Sequence, residues 1–190
     1  MPDVTPKPFD FMALAGYKAA PFPAQYPEDF KTFFSPRDPG IEQLIVDLLG
    51  SAQHSIVINM FGYDLDSANE VILAKAADPA IYLQMSLDRS QAGGVHEKAL
   101  LATWQSDKAG NSIAIGTSIH SAISHLKVLI VDGLYVVSGS TNWSISGVSL
   151  QDNQLTLHHS AIVAAEYRSV LDLNHDAMLK QMAARATPAG

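Results

Sequence analysis

Apolar residues recur along this chain with two different periods. Ile41, Leu44, Ile45, Leu48 and Leu49 fall at the three- and four-residue spacing that gathers side chains into one stripe of a helix. Asp38 followed by Pro39 predicts the start of that helix, a side-chain cap and then a proline at the first helical position. Short runs rich in β-branched and aromatic residues predict strands at 30–35 (F-K-T-F-F-S, ended by Pro36), 54–61 (H-S-I-V-I-N-M-F), 81–87 and 113–115. Between them Ser67-x-x-Glu70 has the form of a capping box opening a helix through Ala77, and a further helix is predicted over 95–105. Over 125–131 Leu126, Val128 and Ile130 alternate with His125, Lys127 and Leu129, the period of a strand. Asp132-Gly133 then predicts a two-residue hairpin turn with 134–137 as the returning strand. A short turn or helix after Asn142, a strand over 153–158 and an amphipathic helix over 161–184 complete the reading. Strands that alternate with helices predict an α/β fold, a three-layer αβα sandwich whose mixed central sheet carries helices on both faces.

Composition changes this picture at one end. Eight prolines lie within the first forty residues, and proline blocks both helix interiors and central strands. Residues 1–29 therefore read as a proline-rich, extended and partly irregular arm, and residues 30–190 as the domain. At 190 residues, with 47% hydrophobic and 16% charged residues, the chain is long enough for one sizeable core. No cysteine is present, which removes disulfides, thiolate metal sites and thiol chemistry. No apolar run has the length of a bilayer span, and the first residues lack the basic opening of a signal peptide, so a cytoplasmic protein is expected, or an exported one if a signal segment has been removed. The formal net charge of −7 repels polyanions on average, so a long basic track for duplex DNA is not expected. A local basic pocket for one phosphate is compatible with that charge.

The candidate chemistry is concentrated at 124–144, S-H-L-K-V-L-I-V-D-G-L-Y-V-V-S-G-S-T-N-W-S. His125, Lys127, Asp132, Gly139, Ser140 and Asn142 stand in the spacing H-x-K-x(4)-D-x(6)-G-S-x-N. At roughly one residue in twenty per position, fewer than about one chain of this size in 10^5 matches such a pattern by chance. On a strand His125 and Lys127 share a face, placing an imidazole beside an ammonium, a cationic pair suited to a phosphate. The hairpin folds Ser140 and Asn142 back toward His125, where a hydroxyl and an amide offer donors to an anion. Gly139 permits close backbone approach.

These residues resemble the HKD motif of the phospholipase D superfamily, and the resemblance extends over about 30–185 through F-F-S-P, the following helix and the strand ending near Phe61. It implies that His125 is the nucleophile that attacks phosphorus and forms a phosphohistidine. Lys127, Ser140 and Asn142 would then bind the non-bridging oxygens, with no metal and no cofactor. Asp132, at the turn, has a structural role in this reading. Members of the family add a carboxylate after G-S-x-N that orients the histidine; the matching place reads Gln151-Asp152-Asn153, which makes Asp152 the candidate, one methylene shorter than the usual glutamate. The mechanism uses two motif histidines and one is present, so a homodimer sharing its active site is implied. The small single-motif members are bacterial endonucleases, which gives a nuclease acting on short or single-stranded nucleic acid as the leading function. The alternatives are phospholipid hydrolysis or headgroup transfer, and a catalytically silent dimeric phosphate-binding or interaction module.

Other residues read as structural. His96-Glu97-Lys98 repeats H-x-K on a predicted helix, where residues two apart do not share a face, and is assigned to solvated surface. His120 reads as an ordinary loop histidine, with a part in shaping the site as the less favoured alternative. His158-His159 does not read as a metal pair, because consecutive strand residues point apart. Trp143 fits either stacking on a base or core packing. Asp88 and Arg89, at a strand end, fit either proximity to the active site or a surface ion pair, and the ion pair is the expected reading.

Overall fold

The computed structural model describes residues 8–91, 94–96, 98, 102 and 111–186 and shows the alternating runs as strands of one mixed sheet. In chain order the elements after the arm are β1 (Phe30–Ser35), α1 (Ile41–Ser51), β2 (Ser55–Met60), β3 (Tyr63–Asp64), α2 (Asp66–Ala77), β4 (Tyr82–Asp88) and β5 (Asn111–Gly116). There follow β6 (Lys127–Val131), β7 (Tyr135–Gly139), β8 (Trp143–Ser144), α3 (Ile145–Ser149), β9 (Asn153–His159) and α4 (Ala161–Ala186). The sheet order is β1-β9-β7-β6-β2-β4-β5, while β3 and β8 form a separate parallel pair. β2, β4 and β5 run parallel, and the β6–β7 hairpin, β9 and β1 extend the sheet with antiparallel pairs.

The strand period sorts side chains onto two cores. Ile56, Ile58 and Met60 of β2, with Leu129 and Val131 of β6, pack on Leu44, Leu48 and Leu49 of α1 and Ile72 of α2. The intervening Val57, Val128, Ile130 and Val136 pack on Ala164 and Leu171 of α4. Because consecutive strand residues face opposite layers, these strands are buried on both sides and read as near-continuous apolar runs. The result is the αβα sandwich expected from the sequence.

Both predicted helix starts are displaced. α1 begins at Ile41 with Gly40 before it and no side-chain cap. Asp38 is instead buried in the elbow below, accepting from the Phe34 N–H (2.9 Å), the Ala19 N–H (3.1 Å) and the Lys18 ammonium (3.0 Å). Burial alone would raise its carboxyl, but these donors and the Lys18 charge hold it below the ordinary aspartate value. A charge-assisted bond to an ammonium outcompetes a cap. α2 begins at Asp66, so Ser67 lies inside the helix and donates to Glu42 (2.7 Å) on α1. The helix predicted over 95–105 falls largely outside the described residues.

The arm is docked along its described length. Asp10 caps a 3-10 helix, Phe11–Tyr17, by accepting from the Met12 N–H, and Phe11 and Leu14 enter the core. The Tyr17 hydroxyl donates to Asp47 (2.7 Å) on α1.

One buried titratable group ties α4 to the sheet. His175 bridges Ser86 on β4 (Nδ1 to Oγ, 2.8 Å) and Ser112 on β5 (Nε2 to Oγ, 2.6 Å). Burial lowers its pKa below the ordinary histidine value, outweighing attraction from Asp176 and Asp172. The native state thus holds His175 neutral while the unfolded chain protonates it near about pH 6.5. The stability this contributes is complete above that pH and is lost as pH falls below it. Urea denaturation is expected to give a lower unfolding free energy at about pH 5 than at about pH 7.5, with a shallower pH dependence in His175→Gln. Burial shifts His158 in the same sense, so the slope is reduced in this variant and not abolished.

Candidate active site

The register brings seven strand ends to one edge of the sheet. β2 ends at Met60 opposite Lys127, the first residue of β6, and beside Leu87, one residue before the end of β4 at Asp88. β7 ends at Gly139 opposite Leu155 of β9, and β1 ends at Ser35 opposite Asn153, where β9 begins. Ligands bind at such edges in open α/β sheets because loops leaving several strands converge there.

Lys127 and His125 flank one aromatic ring. The Lys127 ammonium is 4.7 Å from the Phe61 ring centroid, and the His125 imidazole meets the same ring edge-on at 4.6 Å. The Lys127 Nζ also donates to the His125 carbonyl at 2.9 Å. Lys127 is only 5% exposed, and among the described residues no carboxylate pairs with it. Burial pushes its pKa below the ordinary lysine value. The His125 imidazole is exposed. A buried ammonium partnered only by a carbonyl and a ring is set to gain strongly from an incoming anion.

The strand predicted over 125–131 begins two residues late, at Lys127. The chain before it is held from two neighbouring strands instead. Asp88, fully buried, accepts the Ser124 N–H at 2.5 Å and also the Ser90 N–H and hydroxyl. Asn59 on β2 exchanges hydrogen bonds with the Ser124 hydroxyl at 3.0 and 3.3 Å. Asp88 is therefore no surface ion-pair residue: it fixes the backbone one residue ahead of His125.

The hairpin sets the remaining motif residues. Asp132 (φ 53°) and Gly133 (φ 63°) both adopt the left-handed conformation of the turn that matches strand twist. The Asp132 carboxylate accepts the N–H groups of Gln53, His54 and Ser55, fastening the turn to the start of β2. At the far end a Cβ on Gly139 would collide with the Gln154 carbonyl. Asn142 accepts the Gly62 N–H (3.1 Å) through its side chain, one residue from Phe61. Ser140 donates to the Asn153 side chain (2.9 Å) and accepts the Gln154 N–H (3.0 Å).

Asp152 does not meet His125. Among the described residues it makes no hydrogen bond, and it lines a cleft of about 540 Å³ with Phe34, Ser35, Pro36, Arg37, Ser140, Asn153 and Gln154. It is Asn153, the next residue, that binds Ser140, with its amide NH₂ donating to the Gly147 carbonyl (3.1 Å).

Phe61, Asn59, Ser124 and Asn153 escaped the sequence reading, and Asp88 entered it only as the less favoured of two placements. Two signals pointed toward them: a polar residue inside an otherwise apolar buried strand (Asn59), and a carboxylate closing another (Asp88). Of the remaining histidines, His96 is less solvated than expected. Its Nε2 lies 3.0 Å from Asp66 and 3.6 Å from Asp64, and its side chain is largely covered. Glu97 lies outside the described residues. His120 stays exposed in its loop. The His158 ring packs on Phe30 and that of His159 on Tyr135, and among the described residues no cluster of His, Asp and Glu has metal-site geometry. Trp143 is in the core, settling its two readings. No helix among the described residues is long and apolar enough to cross a membrane.

Comparison with known proteins agrees with this fold. The family model described as "Cardiolipin synthase, PLD-like domain" matches residues 45–173. No curated protein sequence matches the chain. Among solved structures, NucT from Helicobacter pylori superposes with a TM-score of 0.65 at 16% identity, over 80% of this chain and 95% of that one. Nuc from Salmonella typhimurium, a phospholipase D family member, gives 0.61 at 17% identity, over 76% of this chain and 92% of that one. The phosphatidylserine synthase of Haemophilus influenzae gives 0.60 at 12% identity, with 77% of this chain matched to 38% of that one.

The Asp88 contact has a measurable consequence. Asp88→Ala leaves the buried Ser124 N–H without its acceptor and should cost about 1–3 kcal/mol in denaturant unfolding, with Asp88→Asn losing less. The His125 imidazole NMR resonances should shift in Asp88→Ala and return toward native positions in Asp88→Asn. Lost stability with unmoved His125 resonances would reduce Asp88 to a structural residue.

Proposed function

This chain belongs to the phospholipase D superfamily, and we propose that it is a metal-independent nuclease working through a phosphohistidine at the interface of a homodimer. One observation carries the reading: a buried ammonium, unpaired with any carboxylate among the described residues, beside an exposed imidazole. Such a pair is incomplete until an anion arrives, and it offers a nucleophile at the position that anion takes.

In the proposed reaction a nitrogen of His125 attacks phosphorus and the bond to the leaving oxygen breaks. The leaving oxygen takes a proton from the second copy of His125, supplied by the other subunit. Water then attacks the phosphohistidine, gives its proton to that same second histidine, and the N–P bond breaks to release the phosphomonoester. Lys127 holds the non-bridging oxygens, assisted by the Asn142 amide and by the Ser140 hydroxyl once it turns from Asn153. The exchange of acid and base roles between two histidines gives a bell-shaped pH–rate profile.

Exposed apolar residues support the dimer reading. Ile119 and Ile123, before His125, and Ile145 and Leu150, after Asn142, are large apolar residues exposed on either side of the motif. The nuclease reading gains from chain size: the likeness extends over nearly the whole of NucT and Nuc but over a minor part of the phosphatidylserine synthase. The net charge of −7 turns the choice toward short or single-stranded substrates.

Two outcomes are expected. Purified protein with chelator present should cleave nucleic acid and a bis-nitrophenyl phosphodiester, and His125→Ala should abolish both; activity that needs metal or survives in His125→Ala refutes the scheme, and turnover of phosphatidylcholine alone replaces nuclease by lipid hydrolase. Light scattering should find a dimer, and an active monomer refutes the shared site. Separately, Lys127→Met should leave the melting temperature unchanged or raised, since it removes a buried unpaired charge, while abolishing binding of inorganic phosphate by calorimetry. Unfolding of this variant would make Lys127 a structural residue.

A further inference from the structure

The cleft beside Ser140 has a composition that phosphorus chemistry alone does not call for. Phe34 is 44% exposed although it sits on β1 next to the fully buried Phe33. Its neighbours in the arm and on the sheet are paired: Phe22 meets Tyr26 and Phe33, Tyr26 stacks on Phe30, and Phe30 meets His158. Among the described residues Phe34 has no ring partner, so the ring it presents to the cleft is unoccupied. Arg37, three residues on, is exposed and makes no hydrogen bond or ion pair among the described residues. The chain carries 12 lysines and arginines against 19 acidic residues, so an unpaired guanidinium in a cleft is not a product of average composition.

Position gives these groups a role. The cleft spans the ends of β1, β9 and β7, and Lys127 begins β6, the strand next to β7. At about 4.8 Å per strand, β9 stands roughly 10 Å from β6, so the cleft lies within reach of a nucleotide adjoining the phosphate position at Lys127. Ser140 belongs to both, as a motif donor and as a wall of the cleft.

We infer that this cleft seats one nucleotide of a single-stranded nucleic acid next to the scissile phosphate, with its base stacked on Phe34 and the neighbouring phosphate held by Arg37. The inference rests on the phosphodiesterase reading and specifies its substrate. A base reaches the face of Phe34 only if it is not stacked and paired in a duplex, which selects single strands. Stacking is indifferent to base identity, while Gln154 and Asp152 offer hydrogen-bonding groups to the base edge and sugar. Asp152 repels phosphate, leaving Arg37 as the cleft's phosphate contact.

Binding tests this without turnover. In the His125→Ala protein, fluorescence anisotropy with a labelled oligothymidylate of about twelve nucleotides should show Phe34→Ala weakening affinity about 5- to 100-fold, with Phe34→Trp restoring it. Arg37→Ala should weaken affinity and reduce the slope of log K against log salt by about 0.7, one single-strand phosphate contact. Lys180→Ala, which removes an equal charge from α4, should do neither. Blunt duplex of equal length should bind more weakly and respond little to Phe34→Ala. The inference is overturned if His125→Ala protein does not bind the oligonucleotide. It is equally overturned if both cleft variants bind within about twofold of their parent, or if they alter binding to phosphatidylcholine vesicles instead. Native protein that cleaves oligonucleotides with the cleft variants inert overturns the cleft alone. Cleft-dependent binding without any cleavage supports the cleft and refutes the nuclease.

Discussion

The constraint on which the site depends is the burial of the Lys127 ammonium without a carboxylate among the described residues. A lysine covered to this degree is ordinarily neutralised by a nearby acid or loses its proton. Here burial lowers its pKa, and the His125 carbonyl and the face of Phe61 supply partial compensation. A carboxylate within reach would stabilise the folded protein and occupy the anion's place. Its absence is a cost to stability that a ligand bringing its own negative charge would offset.

The rest of the architecture can be understood as holding that arrangement still. Lys127 opens β6, whose two neighbours are β2, in antiparallel register, and β7, its hairpin partner. The Asp132 carboxylate locks the far end of that hairpin to β2, which fixes the height at which Lys127 emerges at the opposite end. His125 has no strand neighbour of its own, and Asp88 and Asn59 hold Ser124 in place of one. The exposed His125 is thus carried on a backbone anchored to buried strands, which gives it a defined position without burying it.

Legibility in the sequence followed the range of the interactions. The α1 stripe, the Asp132-Gly133 turn and the strand runs were readable because each depends on a local period or a local backbone preference. The two helix caps were misread because Asp38 and Ser67 found distant partners, Lys18 and Glu42, that no local pattern displays. The candidate site divides in the same way. His125, Lys127, Ser140 and Asn142 stand in one spaced motif. Asp88 and Phe61 reach it only through sheet order, and Asn153 was masked by a neighbour, Asp152, that had the expected charge.

That last case shows what charge alone leaves undecided. Asp152 stands just before β9 and Asn153 opens it, and both border the cleft. The register that pairs Asn153 with Ser35 goes with an amide set between Ser140 and the Gly147 carbonyl, while Asp152 makes no hydrogen bond among the described residues. An amide can accept from Ser140 and donate to Gly147 at once, whereas a carboxylate there would face the carbonyl oxygen of Gly147 without a proton to give. The neutral side chain is thus the one this geometry accommodates, and it adds no negative charge beside the Ser140 hydroxyl.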